Sequence, residues 1–293
     1  MPKHCITDTQ IYYEAYGQGD TIVYLQSTLG GINPGAYYFA GRLSAHFRVI
    51  IWDGPNNGQS DVVIRDTPSE YHLYCSCLKE LLDGLHINSV HLAGCSGGGE
   101  MALLFSHLYP ETAKSIALYR PTDTTSSIEA EIINARYYQI AEFAQNHTME
   151  EVAAYNADPP RTRFGHCAAW IADLCRKDRE KILKIPSEDF SRIMKSWGDW
   201  MGSPTFYRAN LSDKDLRKIT VPALVSPCSD DCHPESIALD LCSRLPNAAY
   251  IPSGKHRTEE EIYYAAYEEH PFGGFVQFVN NYEIFILSAG GTL

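Results

Sequence analysis

Short apolar runs alternate with stretches of helical period along most of this chain, and that alternation predicts its fold class. Residues 10–16 and 21–26 are strand-like and flank Gly17-Gln18-Gly19-Asp20, a turn-rich tetrapeptide, which predicts an antiparallel hairpin at a sheet edge. Residues 47–52 predict a compact apolar strand, 71–85 a helix, and 89–93 a strand broken at Gly94. Residues 99–109 place Met101, Leu104, Phe105 and Leu108 on one helical face and stop at Pro110, after which 114–119 return as a strand. Strand and helix in this alternation predict a mostly parallel sheet with crossover helices, the α/β class.

From Pro121 to about Lys218 the alternation gives way to a helical, aromatic and irregular stretch punctuated by Pro159-Pro160 and Pro204. The prediction is a core made of residues 1–121 and 219–293, interrupted once by a helical cap at 122–218. Strand signals resume at 221–226, a helix follows at 235–245, and 248–252 is the next strand. Residues 259–287 predict one or two helices broken near Pro271 and Gly273-Gly274.

Charge narrows the range of partners. The 293 residues carry 24 Lys and Arg against 36 Asp and Glu, a net charge of -12 with no basic run, which argues against nucleic acid and against an anionic membrane surface. A chain 44% hydrophobic and 20% charged is long enough to bury a large core. No leader-like segment opens the sequence and no apolar run approaches the ~18 residues of a membrane span. Nine cysteines at irregular spacing fit reduced thiols, so the expectation is a soluble, cytoplasmic protein. Cys228-x-x-x-Cys232-His233 has a superficial likeness to a metal site, but no second ligand pair completes it and no metal is expected.

The densest chemical signal is Gly94-Cys95-Ser96-Gly97-Gly98, a G-x-S-x-G run at the end of one expected strand and the start of one expected helix. A nucleophile on so tight a turn needs glycines around it, because a side chain would clash with the crowded backbone. The helix that follows points its N-terminus at the site, where the Gly97 amide can stabilise an oxyanion. Cys95 is the rival nucleophile, in an Ala93-Gly94-Cys95-Ser96-Gly97 reading of the same turn.

These residues resemble the α/β-hydrolase superfamily, and the likeness covers most of the core. Trp52-Asp53-Gly54-Pro55-Asn56-Asn57-Gly58-Gln59-Ser60-Asp61 is similar to its D-x-R-G-x-G-x-S segment, with Pro55 at the arginine position. Val221-Pro222-Ala223-Leu224-Val225, followed by Asp230-Asp231 and Pro234, resembles its acid-bearing strand and turn, and Ser253-Gly254-Lys255-His256 its histidine loop. The resemblance implies an eight-stranded, mostly parallel sheet flanked by helices, with a helical cap. It also implies Ser96 as nucleophile, Asp231 as acid and His256 as base, in the family's order, with Asp230 the main competing acid and Asp123 a distant third, and His270 and His233 competing with His256. Serine is a poor nucleophile until an imidazole takes its proton, and a carboxylate fixes that imidazole's tautomer. A second oxyanion donor is expected from the Thr28 amide, in a loop where the family's His-Gly is replaced by Gln26-Ser27.

The cap's aromatics suggest a pocket for a small-molecule substrate, with Tyr137, Tyr138, Trp170 and Trp197 as candidate lining residues. The expected activity is hydrolysis of a small, largely apolar ester or lactone through an acyl-enzyme, with no metal or organic cofactor. A carbon-carbon bond hydrolase on a diketone-type substrate and a small-molecule receptor that keeps the hydrolase site are the alternatives. The acidic surface and the aromatic C-terminal segment permit a homodimer.

Overall fold

Strand burial orders the sheet. The computed structural model describes residues 3–27, 31–124, 127–155, 170–228, 232–252 and 273–289. Its strands are β1 (Lys3–Ile6), β2 (Thr9–Tyr16), β3 (Thr21–Leu25), β4 (Arg48–Trp52), β5 (Val90–Cys95), β6 (Ala113–Tyr119), β7 (Ala223–Ser226) and β8 (Ala248–Tyr250). They form one eight-stranded sheet in the order β1-β2-β4-β3-β5-β6-β7-β8. The β1-β2 and β2-β4 pairs are antiparallel and every later pair is parallel.

The expected hairpin between residues 10–16 and 21–26 does not form. β4 lies between β2 and β3, pairing antiparallel with one and parallel with the other. The reason is visible in the side chains: β3 is buried at all five positions, so it needs neighbours on both edges and cover on both faces, whereas β2 exposes part of its length. The glycine turn at 17–19 therefore redirects the chain across β4 instead of folding it back. Gly17, at φ +72, sits where an added Cβ would be 2.2 Å from the Phe47 carbonyl oxygen.

Alternation along the strands divides the core into two layers. Ile22 and Tyr24 of β3 join Phe39 of α1 (Pro34–Leu43) and Phe278 and Tyr282 of the C-terminal helix Gly273–Ala289 on one face. Val23 and Leu25 face the other way, with Leu78 of α2 (Glu70–Gly84) and Phe105 of α3 (Gly97–Leu108). α1 starts where Asn33 caps the Ala36 amide at 3.0 Å and Pro34 occupies the first turn; Ser69 caps α2 in the same way. Along α3 the expected apolar face is buried at Met101, Leu104 and Phe105, but Leu108 in the last turn is exposed. The C-terminal helix begins at Gly273, where a break was expected; residues 253–272, which hold the rest of that expected helical segment, lie outside the described residues.

Between β6 and β7 the described residues include the helices α4 (Ser127–Ile133), a π turn (Asn134–Tyr138), α5 (Gln139–Ala144), α6 (Met149–Ala153), α7 (Trp170–Leu183), α8 (Ser187–Met201) and α9 (Asp213–Leu216). A buried cluster ties this insertion to the N-terminus of α2. Arg136 Nη2 donates to Glu70 Oε1 at 2.8 Å, Tyr74 donates to the same oxygen at 3.0 Å, and the Tyr137 hydroxyl donates to Glu70 Oε2. The Arg136 guanidinium lies 4.3 Å from the Trp170 ring centroid. Burial pulls the Arg136 pKa down, but Glu70, Tyr137 and Tyr74 more than offset it and hold the group well above its ordinary value. After β7 come α10 (Glu235–Arg244) and, last in the chain, α11, the Gly273–Ala289 helix. Among the described residues no helix is long and apolar enough to cross a membrane.

Candidate active site

The carboxyl ends of β5, β6 and β7 bring three turns together, and each contributes one side of the site. Ser96 follows β5 with φ 52 and ψ -129, a left-handed-side conformation that a non-glycine residue adopts only under constraint. Two backbone bonds supply that constraint: the Ser96 amide donates to the Tyr119 carbonyl at 2.8 Å, and the Gly99 amide donates to the Ser96 carbonyl at 2.6 Å. The glycines are a steric necessity. A Cβ at Gly94 would stand 2.0 Å from the Gly98 carbonyl oxygen, and one at Gly98 2.0 Å from the Leu25 carbonyl oxygen. The expected elbow is thus present as a strained strand-to-helix turn, with Ser96 at its apex.

Gly97 opens α3, and the first turn of a helix leaves its amide without an intrahelical acceptor, so it is placed as an anion donor beside Ser96. Thr28, Asp230, Asp231, His256 and His270 lie outside the described residues. Ser96 and Gly97 are therefore the expected site residues whose positions the structure describes at the elbow.

Four residues carry chemistry around Ser96, and the sequence singled out only His233 among them. Ser96 Oγ lies 2.9 Å from Thr122 Oγ1 and 3.2 Å from His233 Nε2. Arg120 Nη2 lies 3.2 Å from His233 Nδ1. Glu100, fully buried one helical turn after the elbow, accepts the Thr122 amide at 2.8 Å through Oε1. Burial pushes the Glu100 carboxyl well above its ordinary range, despite bonds from the Thr122 and Glu100 amides. Arg120 is itself at φ 59, and its amide donates to the Ser226 carbonyl at 2.9 Å. The Asp123 amide donates to the Cys232 carbonyl at 2.7 Å, which draws the β6 and β7 turns together. His233, a competitor for the base in the sequence, is here in contact with Ser96.

The signals for the other three were faint. Glu100 is an acidic residue in the first turn of a helix buried nearly throughout, which is unusual enough to notice, but its partner lies 22 residues away. Thr122 and Arg120 sit directly after a strand end, where nothing in the pattern distinguishes them from loop residues.

Cys95, the rival nucleophile, points away from this constellation. Its thiol joins the layer of Tyr24 and Tyr119, and burial pushes it up to about 11, against the pull of Arg120. A thiol so placed is almost wholly protonated at neutral pH. Gln26, at the position of the family's histidine, donates from Nε2 to the Trp52 carbonyl at 3.1 Å and so closes the end of β4. Its Oε1 is buried with no hydrogen-bond partner among the described residues.

The candidate pocket residues divide by location. Tyr137 is fully buried, with its hydroxyl committed to Glu70, and Trp197 is buried with its Nε1 donating to the Thr67 carbonyl at 3.2 Å. Trp170 stacks on Arg136, and Tyr138 donates to Asp199 Oδ1 at 3.0 Å. Tyr137 and Trp197 thus bond the insertion to the core, and the contacts of Trp170 and Tyr138 lie within the insertion. Among the described residues no three His, Cys, Asp or Glu side chains converge as a metal site, Cys228, Cys232 and His233 included.

The chain matches the α/β hydrolase fold over residues 21–251 and belongs to that family. It is 32% identical over 119 residues to the 2-hydroxy-6-oxo-6-phenylhexa-2,4-dienoate hydrolase of Comamonas testosteroni, covering 40% of this chain and 41% of the relative. It is 34% identical over 119 residues to a 2-hydroxy-6-oxononadienedioate/2-hydroxy-6-oxononatrienedioate hydrolase of Pseudomonas putida, covering 38% of this chain and 40% of the relative. The match thus spans about two-fifths of these curated relatives. Among solved structures, a meta-cleavage product hydrolase from Pseudomonas fluorescens superposes with a TM-score of 0.63 at 17% identity, covering 99% of this chain and 98% of the other. An enol-lactonase from Burkholderia xenovorans gives 0.58 at 15% identity, covering 98% and 99%. At such identities these two share the fold.

Proposed function

We propose that this protein is a serine hydrolase in which Ser96 attacks the carbonyl carbon of a small, largely apolar ester or lactone. The observation that carries the reading is Ser96 at the apex of a strained elbow, φ 52, with its Oγ engaged by Thr122 and His233 at the carboxyl ends of the strands. In this reading His256 takes the Ser96 proton and Asp231 orients His256, with Asp230 as the competing acid. The amides of Gly97 and Thr28 receive the oxyanion, and water releases the acyl group. The helical insertion between β6 and β7 forms the cap over the site.

A second reading keeps the serine and changes the bond. The two curated relatives are named as hydrolases of 2-hydroxy-6-oxo dienoates, which favours carbon-carbon cleavage of a diketone-type substrate. One experiment separates the two: purified protein and Ser96→Ala are incubated with a panel of p-nitrophenyl esters, lactones and 2-hydroxy-6-oxo dienoates, and products are identified by mass. Turnover of esters or lactones that is lost in Ser96→Ala supports the first reading. Turnover confined to the dienoates moves the assignment to the second, and turnover retained in Ser96→Ala overturns both.

A further inference from the structure

Among the described residues two side chains, Thr122 and His233, contact the oxygen of Ser96, and the hydrogen inventory of His233 is fixed by its neighbour. Arginine has donors and no acceptor. The contact of 3.2 Å between Arg120 Nη2 and His233 Nδ1 therefore makes Nδ1 the acceptor. A neutral imidazole whose Nδ1 accepts carries its hydrogen on Nε2. That nitrogen lies 3.2 Å from Ser96 Oγ, so the bond runs from His233 to the serine. His233 in this tautomer has no lone pair facing Ser96 and is not placed to remove the serine's proton.

We propose that His233 is a catalytic hydrogen-bond donor to Ser96 Oγ, held in its donor tautomer by the positioning residue Arg120, and distinct from the general base. The inference rests on the reading of Ser96 as nucleophile and adds a role within it. When Ser96 attacks, its proton passes to the base while an electron pair on Oγ forms the bond to the carbonyl carbon; the bond from that carbon to the alcohol oxygen of the ester or lactone then breaks, and the departing oxygen takes the proton from the base. When the acyl group leaves, water adds to that carbon and gives a proton to the base. The C–Oγ bond then breaks, its electron pair returns to Oγ, and the base hands Oγ the proton. In both steps negative charge passes through Oγ, and the His233 N–H stabilises it there without being transferred.

The remaining contact supports the arrangement. Thr122 Oγ1, at 2.9 Å, can accept the Ser96 hydroxyl proton in the resting protein and turn to donate when that proton has left. The amide of Thr122 is pinned by Glu100 Oε1 at 2.8 Å, which fixes the loop that carries its hydroxyl. His233 is 6% exposed and is seated by the Cys232–Asp123 backbone bond, which fixes its approach.

The test is the rate of phosphonylation of Ser96 by a fluorophosphonate, followed by intact mass across pH 5–9. It is run on the wild type, Ser96→Ala, His233→Leu, His233→Gln, Arg120→Met and the His233→Leu/Arg120→Met pair. Glutamine can place an amide N–H near the position of Nε2. Loss of a donor to a charged oxygen predicts labelling about 10- to 100-fold slower in His233→Leu, with the acid limb of the pH profile retained, and a recovery of about fivefold or more in His233→Gln. Arg120→Met slows labelling in the wild-type background and has no further effect in the His233→Leu background. Thermal melts identify any variant that fails to fold, and His233→Gln and Arg120→Met each carry the test alone. Labelling of His233→Leu at the wild-type rate overturns the donor role. His233→Gln as slow as His233→Leu, with the acid limb gone from both, makes His233 a base and overturns it likewise. A wild type that is not labelled, or a Ser96→Ala labelled like it, overturns the nucleophile reading itself.

Discussion

Arg136→Met should destabilise the protein more than any surface change. Glu70 and Arg136 have side chains 1% and 2% exposed and meet at 2.8 Å, so neither charge has water to turn to when the other is removed. Removing one partner of such a pair leaves an uncompensated buried charge and costs about 3–5 kcal/mol. Two phenol donors, Tyr74 and Tyr137, remain on Glu70, which argues for the lower half of that range. At about 2 °C per kcal/mol for a chain of this size, the melting temperature should fall by about 6–8 °C. Replacing both charges, as Glu70→Gln/Arg136→Met, removes the stranded carboxylate and should restore at least about 2 kcal/mol relative to Arg136→Met. The assay is urea unfolding of the wild type, both single variants and the double variant, read by tryptophan fluorescence, because Trp170 stands against the guanidinium. An Arg136→Met loss below about 1 kcal/mol, or a double variant no more stable than Arg136→Met, would refute the claim that this pair anchors the insertion to the core.

Two further outcomes follow from titrating groups. His91, 8% exposed and 2.8 Å from Ser115 Oγ, is pulled down to about 4, first by burial and then by Lys114, against Asp20. The unfolded chain takes up a proton near pH 6.5 that the folded one refuses until about 4, so stability should fall as pH drops through that window. The loss is about 2–3 kcal/mol by pH 4.5, and His91→Gln should flatten that part of the pH dependence of urea midpoints; an unchanged slope contradicts the assignment. Cys95, with its thiol near 11, should resist iodoacetamide at pH 7.5, where fewer than about one thiol in a thousand is ionised. Cys95→Ala should keep ester or lactone turnover within about threefold, and a loss beyond tenfold would reinstate the cysteine as a candidate nucleophile.

How far the sequence could be read depended on whether the signal was local. The elbow was legible because its requirements are contained in five consecutive residues, and the clashes at Gly94 and Gly98 are the reason those glycines are there. The alternation of strands and helices was legible for the same reason, since periodicity is a property of neighbours. Strand order was less so. The turn at 17–19 has the composition of a hairpin, and only the burial of β3 on every face shows that β4 must come between. The surroundings of Ser96 were the least legible, because Thr122 and His233 arrive from 26 and 137 residues away. The aromatics of the insertion are hard to read for another reason. Density alone cannot separate a ring that lines a pocket from one that packs, and Tyr137 and Trp197 pack.

The central claim is that Ser96 is an activated nucleophile. It is tested most directly by intact-mass analysis of the purified protein after exposure to a fluorophosphonate, beside Ser96→Ala. The account predicts one phosphonyl group per chain, located on the peptide containing Ser96 and absent from the variant. A folded wild type that takes up no label, or a Ser96→Ala protein that takes up as much, contradicts it.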